Sequence, residues 1–251
     1  MFILLSPAKR QSFETAPALT LQYSAPRFLK QTQALLEVLK EKTEEELQQL
    51  MSMSPALARL NAERFQTFNK TPSMPALFAF QGDVYQGLAA GTLTQNDIEF
   101  AQAHLMILSG LYGVLRPLDQ IQPHRLEMGR KLAIAQTKNL YQYWDGFITD
   151  AINQHLDQHQ NATLINLASQ EYFKSVQIKH LKHPVIHVDF KEHANGQYRI
   201  IALLAKRARG KMARYIINQR LANPEAMKAF NIDGYQFSPQ HSSEDRFVFV
   251  R

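Results

Sequence analysis

Leu108–Gly129, LSGLYGVLRPLDQIQPHRLEMG, packs three glycines (Gly110, Gly113, Gly129), two prolines (Pro117, Pro123) and the basic side chains Arg116, His124 and Arg125 behind an apolar run, Leu105–Leu108. Glycine permits positive φ and close backbone approach; proline fixes φ and removes a donor. That density specifies one unusual backbone shape that presents cations. On one reading, His104–Leu108 is a strand that ends in a glycine-rich turn at the carboxyl edge of a sheet, where α/β folds commonly bind ligands. Backbone amides around Gly110 and Gly113, with Arg116 or Arg125, would then face an anion.

Leu108–Gly113 also resembles the turn of helix–hairpin–helix DNA-binding motifs, although its glycines are three apart rather than two. Both readings stay open on sequence alone.

Outward from this stretch, short apolar runs alternate with helical patterns. Phe2–Leu5, Leu77–Phe80, Thr163–Leu167, Val185–Phe190, Tyr198–Ala205 and Phe247–Val250 read as strands. Asn195-Gly196 reads as a hairpin turn. Helices are expected from Pro26, over Thr43–Met51, from Pro55 with Asn61 facing outward, from Thr94 to about Ala103, and over Lys206–Leu221. The longest spans Asn139–Gln158, with Leu140, Trp144, Phe147, Ile148, Ile152 and Leu156 on one apolar stripe. The pattern predicts a mixed α/β fold: one compact domain over residues 1–251 and a mixed sheet flanked by helices.

The chain has 251 residues, enough to bury a core without disulfide or metal staples. It has no cysteine, which excludes disulfides, thiolate metal sites and cysteine nucleophiles. The opening MFILL is too short for a signal-peptide core, and no run is long enough to cross a membrane. A cytoplasmic protein with no membrane partner is expected. The formal net charge of +6 favours nucleic acid, nucleotides or other anions as partners.

Lys206–Leu221, KRARGKMARYIINQRL, carries that charge most densely. Arg207, Lys211 and Arg214 share one narrow arc, while Lys206, Arg209 and Arg220 flank the apolar side. No Asp or Glu occurs between His193 and Pro224. Helical cations are usually paired at i±4, so this face is either solvated or built for an anionic partner. Gly210 costs on the order of 1 kcal/mol inside a helix, which suits a backbone or phosphate approaching there. Two further strand ends carry polar groups: Ser6-Pro7-Ala8-Lys9, and Asn166–Lys174 with Ser169, Glu171 and Lys174. The expected cleft is lined by Ser6, Gly110, Gly113 and Ser169, with Lys9, Arg116, Arg125, Lys174, Lys206, Arg207, Arg209, Lys211 and Arg214 as anion or DNA contacts.

Signals for catalysis are sparse. The pairs His155/His159 and His183/His187 lack a further ligand at metal spacing, so neither a metal nor a cofactor is expected. Ser6 and Ser169 lack an evident base. Asp83, Glu127 and Glu171 could act as acid–base groups or pair with the cations.

Five segments together carry a resemblance: Ser6–Lys9 (SPAK), Phe80–Leu88 (FQGDVYQGL), Leu108–Gly129, Ile165–Lys174 (INLASQEYFK) and Ala205–Gly210 (AKRARG). In these the chain resembles the peroxide stress protein YaaA family. His124 departs from the tyrosine that more often follows this proline. The resemblance implies a cytoplasmic protein of the hydrogen peroxide response that limits iron-driven damage. It also implies DNA binding, with a helix–hairpin–helix-like element and a positively charged cleft; contacts to phosphates alone make low sequence specificity on duplex DNA the expectation. The alternative from the residues is an enzyme acting on a small phosphorylated or nucleotide-like substrate in the same cleft.

Overall fold

The computed structural model describes residues 1–14, 20–194 and 196–251. Its centre is an eight-stranded sheet: β1 (Phe2–Leu5), β2 (Leu105–Ser109), β3 (Gly113–Leu115), β4 (Leu164–Asn166), β5 (Val185–Ala194), β6 (Gln197–Arg199), β7 (Gln236–Phe237) and β8 (Arg246–Val250). The spatial order is β7-β8-β5-β4-β1-β2-β3, with β6 on β5. Strands β2, β1, β4, β5 and β8 run parallel, while β3, β6 and β7 add antiparallel edges. β1 is fully buried, as a parallel strand covered on both faces must be. The fold is therefore mixed α/β with a mixed sheet.

Counted in chain order, the five parallel strands lie 2-1-3-4-5. The chain builds to one side of β1 with β2, then to the other with β4, β5 and β8. The carboxyl ends of β1 and β4 flank the point where winding reverses, the usual ligand crevice of such sheets.

Helix starts follow their local chemistry. Thr43, Ser54 and Thr94 cap Glu44–Met51, Pro55–Gln66 and Gln95–His104, and Thr94 closes a capping box with Asp97. The first helix begins at Leu29 rather than at Pro26. Ala76–Ala79 is a helical turn, not the strand expected over Leu77–Phe80; an apolar run this short has no period to separate the two. The helix expected over Asn139–Gln158 is two, Leu140–Tyr143 and Phe147–Leu156, broken at Gly146 with φ +80°. Its stripe is buried except for Phe147, which is exposed. Asn61 faces inward and donates to the Leu57 carbonyl at 2.8 Å. β5 and β6 pair as expected from the turn signal, of which Asn195 lies outside the described residues.

The decisive stretch is a β-hairpin. β2 and β3 pair antiparallel, Ser109 opposite Gly113, so no helix–hairpin–helix forms at Leu108–Gly113. The turn is core rather than surface: Leu111 and Tyr112 are buried. A Cβ on Gly110 would lie 2.2 Å from the Leu126 carbonyl oxygen, and one on Gly113 2.8 Å from the Trp144 ring. Trp144 Nε1 donates to the Gly110 carbonyl at 2.9 Å. The glycines admit backbone and indole, and neither Gly110 nor Gly113 is among the described residues that line the cleft at the carboxyl edge of the sheet.

Candidate functional site

A cleft of about 410 Å³ opens at the carboxyl ends of β1 and β4. Ser6 follows β1 and Ser169 follows β4. The Leu167 N–H donates to the Leu4 carbonyl at 3.0 Å, and Asn166 Oδ1 accepts from the Ala168 N–H at 2.9 Å, turning the chain beyond β4. Ser169 then donates its N–H to Ser6 Oγ at 2.9 Å, the two hydroxyls lie 3.3 Å apart, and Tyr85 Oη donates to the Ser6 carbonyl at 3.0 Å. These serines stitch two loops together. Among the described residues, no histidine lines the cleft to serve either as a base.

The opposite wall is the crossing of two helices, Asp83–Leu88 and Ala202–Asn218. The basic helix starts four residues before Lys206, which places Gly210 inside it and shortens the expected Tyr198–Ala205 strand to β6. A Cβ on Gly210 would lie 1.8 Å from the Val84 carbonyl oxygen, and one on Gly87 would lie 2.2 Å from the Arg207 carbonyl oxygen. What approaches Gly210 is thus backbone. This contact brings Asp83 and Tyr85 beside Lys206 and Arg209 in one lining.

The cations divide by partner. Lys9, Arg10, Lys206 and Arg209 line the cleft with Ser6 and Ser169. Arg125 lies behind it, against buried Glu127 at 3.0 Å. Glu127 also takes Arg130 at 3.2 Å and Lys9 at 3.3 Å. Burial pushes the Glu127 carboxyl up, but hydrogen bonds and charge from Arg130 and Arg125 outweigh it and hold the group below its ordinary range. Arg207 reaches Asp83 at 3.8 Å. Lys174 is exposed, its Nζ 5.1 Å from the Tyr141 ring centre, and it is not in the cleft wall. Arg116 lies elsewhere, paired with buried Asp119 at 3.3 Å beside a separate surface hollow. The expectation of one wall holding Lys9, Arg116, Lys174 and Arg209 is therefore met by Lys9 and Arg209 only.

The basic helix is also not left uncompensated. Its partners come from distant segments: Lys211 pairs with Asp233, and Arg220 with Asp97 at 2.7 Å. Arg214 donates to the Leu88 and Ala89 carbonyls, both at 2.9 Å, and to Thr92 Oγ1 at 2.8 Å. It caps the carbonyl end of Asp83–Leu88. Among the described residues, Lys206 and Arg209 form no ion pair, and Arg209 Nε is buried without a hydrogen-bond partner. Burial lowers the Arg209 pKa, an effect partly offset by Asp189.

Sequence reasoning did not pick out Tyr85, Arg10 or Arg130. The segment FQGDVYQGL signalled the first; nothing local signalled Arg130, whose role depends on Glu127 being buried. Among the described residues, no three His, Cys, Asp or Glu side chains gather as metal ligands, and no helix is long and apolar enough to cross a membrane. His155 and His159 pack on Phe2, and His183 bonds Asp157 at 2.6 Å.

Comparison with known proteins gives this arrangement a setting. Residues 1–241 match the family described as peroxide stress protein YaaA. A UPF0246 protein of Aliivibrio fischeri is 46% identical over 255 residues, covering 100% of this chain and 98% of its own length. UPF0246 proteins of Bordetella petrii and Verminephrobacter eiseniae are 46% and 47% identical, with 99% and 98% of their lengths covered. The chain belongs to the peroxide stress protein YaaA family.

Proposed function

We propose that this protein serves the peroxide stress response in the cytoplasm by binding duplex DNA with low sequence specificity. Family membership supports the stress role. The observation that carries the DNA reading is the gathering of exposed Lys9, Arg10 and Lys206, from two remote chain segments, around one cleft mouth, with exposed Arg207 alongside. Cations in this arrangement suit phosphates, which position a protein without reading bases. Lys174 and Arg116 stand outside the mouth and would add at most peripheral phosphate contacts.

The test is duplex binding measured against salt. The log–log slope should be about −0.9 per phosphate neutralised. Replacing Lys206 and Arg207 together with alanine should shrink that slope by roughly two contacts' worth. An unchanged slope, or no duplex binding at low salt, overturns the proposal.

A further inference from the structure

The cleft has a second property that duplex binding does not use. It sits where the winding of the sheet reverses, between the ends of β1 and β4, and its roughly 410 Å³ falls in the range of small-molecule sites. A recess of that size admits one nucleotide, not a double helix.

Two of its carboxylates are held by arginines, and a third has one oxygen bonded to backbone. Glu127 is held by Arg125 and Arg130, and Asp83 by Arg207. Glu171 Oε1 accepts from the Gly129 N–H at 3.0 Å. Among the described residues, Lys206 and Arg209 line the cleft without an ion pair and supply its positive corner. A half-buried guanidinium with no ion pair is costly, and a phosphate gives its outer nitrogens charge-assisted hydrogen bonds. Around this positive corner the wall turns apolar at Pro7, Val84 and Leu167. Exposed Glu171 is placed to accept from a ribose hydroxyl or a base N–H. Anion corner, apolar wall and carboxylate acceptor together describe a phosphorylated nucleoside.

We propose that this cleft binds one nucleoside 5′-monophosphate, its phosphate on Arg209 and Lys206, either free or as an unpaired unit of a strand. This goes beyond the duplex-binding reading and stands without it.

Titration calorimetry of the full chain with the common nucleoside monophosphates, ribose 5-phosphate, inorganic phosphate and a short single-stranded oligonucleotide tests it. At least one monophosphate should bind more tightly than inorganic phosphate and lose tenfold or more in R209Q. K206A is an exposed-site control for folding and should lose several-fold. Competition by the single strand identifies a nucleotide unit as the natural source; its absence identifies the free nucleotide. No monophosphate binding, or binding indifferent to both substitutions, overturns the proposal and leaves duplex binding untouched. Loss of duplex binding with monophosphate binding intact does the reverse.

Discussion

Gly210 meets the Val84 carbonyl so closely that a single added methyl group would sit 1.8 Å from the oxygen. The site depends on this contact, because it fixes the helix carrying Asp83 and Tyr85 against the helix carrying Lys206 and Arg209. In an isolated helix Gly→Ala gains about 1 kcal/mol. Here Gly210→Ala forces two backbones apart, and overpacking of this kind costs about 1–3 kcal/mol or more. Net destabilisation is expected, read as a lower urea midpoint with an unchanged slope. An increase in stability would show that the helices separate without cost.

Arg214 separates fold from function on one helix face. It shares an arc with Arg207 and Lys211, yet its guanidinium is spent on the Leu88 and Ala89 carbonyls. Arg214→Ala strips several charge-assisted hydrogen bonds and should cost about 2 kcal/mol of stability. It should leave the salt slope of DNA binding unchanged. A reduced slope with unchanged stability would make Arg214 a phosphate contact instead.

The contrast between Arg214 and Lys206 marks how far the sequence is legible. Helical projection put Arg207, Lys211 and Arg214 on one face of Ala202–Asn218, and Thr43, Ser54 and Thr94 located three helix starts. The partners were not legible, because Asp83, Asp97 and Asp233 reach the helix from segments remote in sequence. Local acidity around residues 194–223 says nothing about acidity in space. The glycines of Leu108–Gly129 show the same limit. Their density announced a special backbone, but glycine admits protein backbone, an indole ring or a ligand equally. Only the packing of Leu126 and Trp144 shows which of these is present. The paired loops at Ser6 and Ser169 were readable for a different reason: strand ends in α/β sheets converge by topology, whatever the intervening chain does.

His124 makes the fold acid-sensitive. Buried beside Phe80 and Tyr112, its ring hydrogen-bonds the Gln122 carbonyl through Nδ1 at 2.8 Å. Burial lowers its pKa to about 4, from 6.5. The folded state holds the neutral ring, so the stabilisation is complete above pH 6.5 and drains as the unfolded chain takes up a proton between pH 6.5 and 4. The shift corresponds to a loss on the order of 3 kcal/mol. His124→Phe should cost about 1 kcal/mol at neutral pH through the lost hydrogen bond. It should also flatten the stability profile between pH 6.5 and 4. Parallel profiles for the two proteins would show that His124 titrates normally.

Glu127 is the electrostatic keystone of the cleft, and acid removes its contribution too, in a lower pH window than that of His124. Its carboxylate is buried, with Arg125 and Arg130 only partly exposed around it. The folded state holds its pKa below the ordinary value, so its contribution is complete above pH 4.5 and fades as pH falls below that. Glu127→Gln keeps the shape and removes the charge, stranding two arginines; breaking such a pair costs about 3–5 kcal/mol. The cost should shrink when Arg125 is replaced by methionine in the same chain, because the stranded charge goes with it. Urea unfolding of the two single variants and the double variant closes the cycle. A coupling energy of at least 1 kcal/mol is expected for contacting charges. Additive effects would mean that Arg125 finds solvent in the folded state and that the carboxylate neutralises nothing. Because Lys9 also rests on Glu127, at 3.3 Å, the glutamine variant releases that lysine toward the cleft mouth. Duplex binding by Glu127→Gln should therefore tighten, with a steeper salt slope, even as the fold weakens.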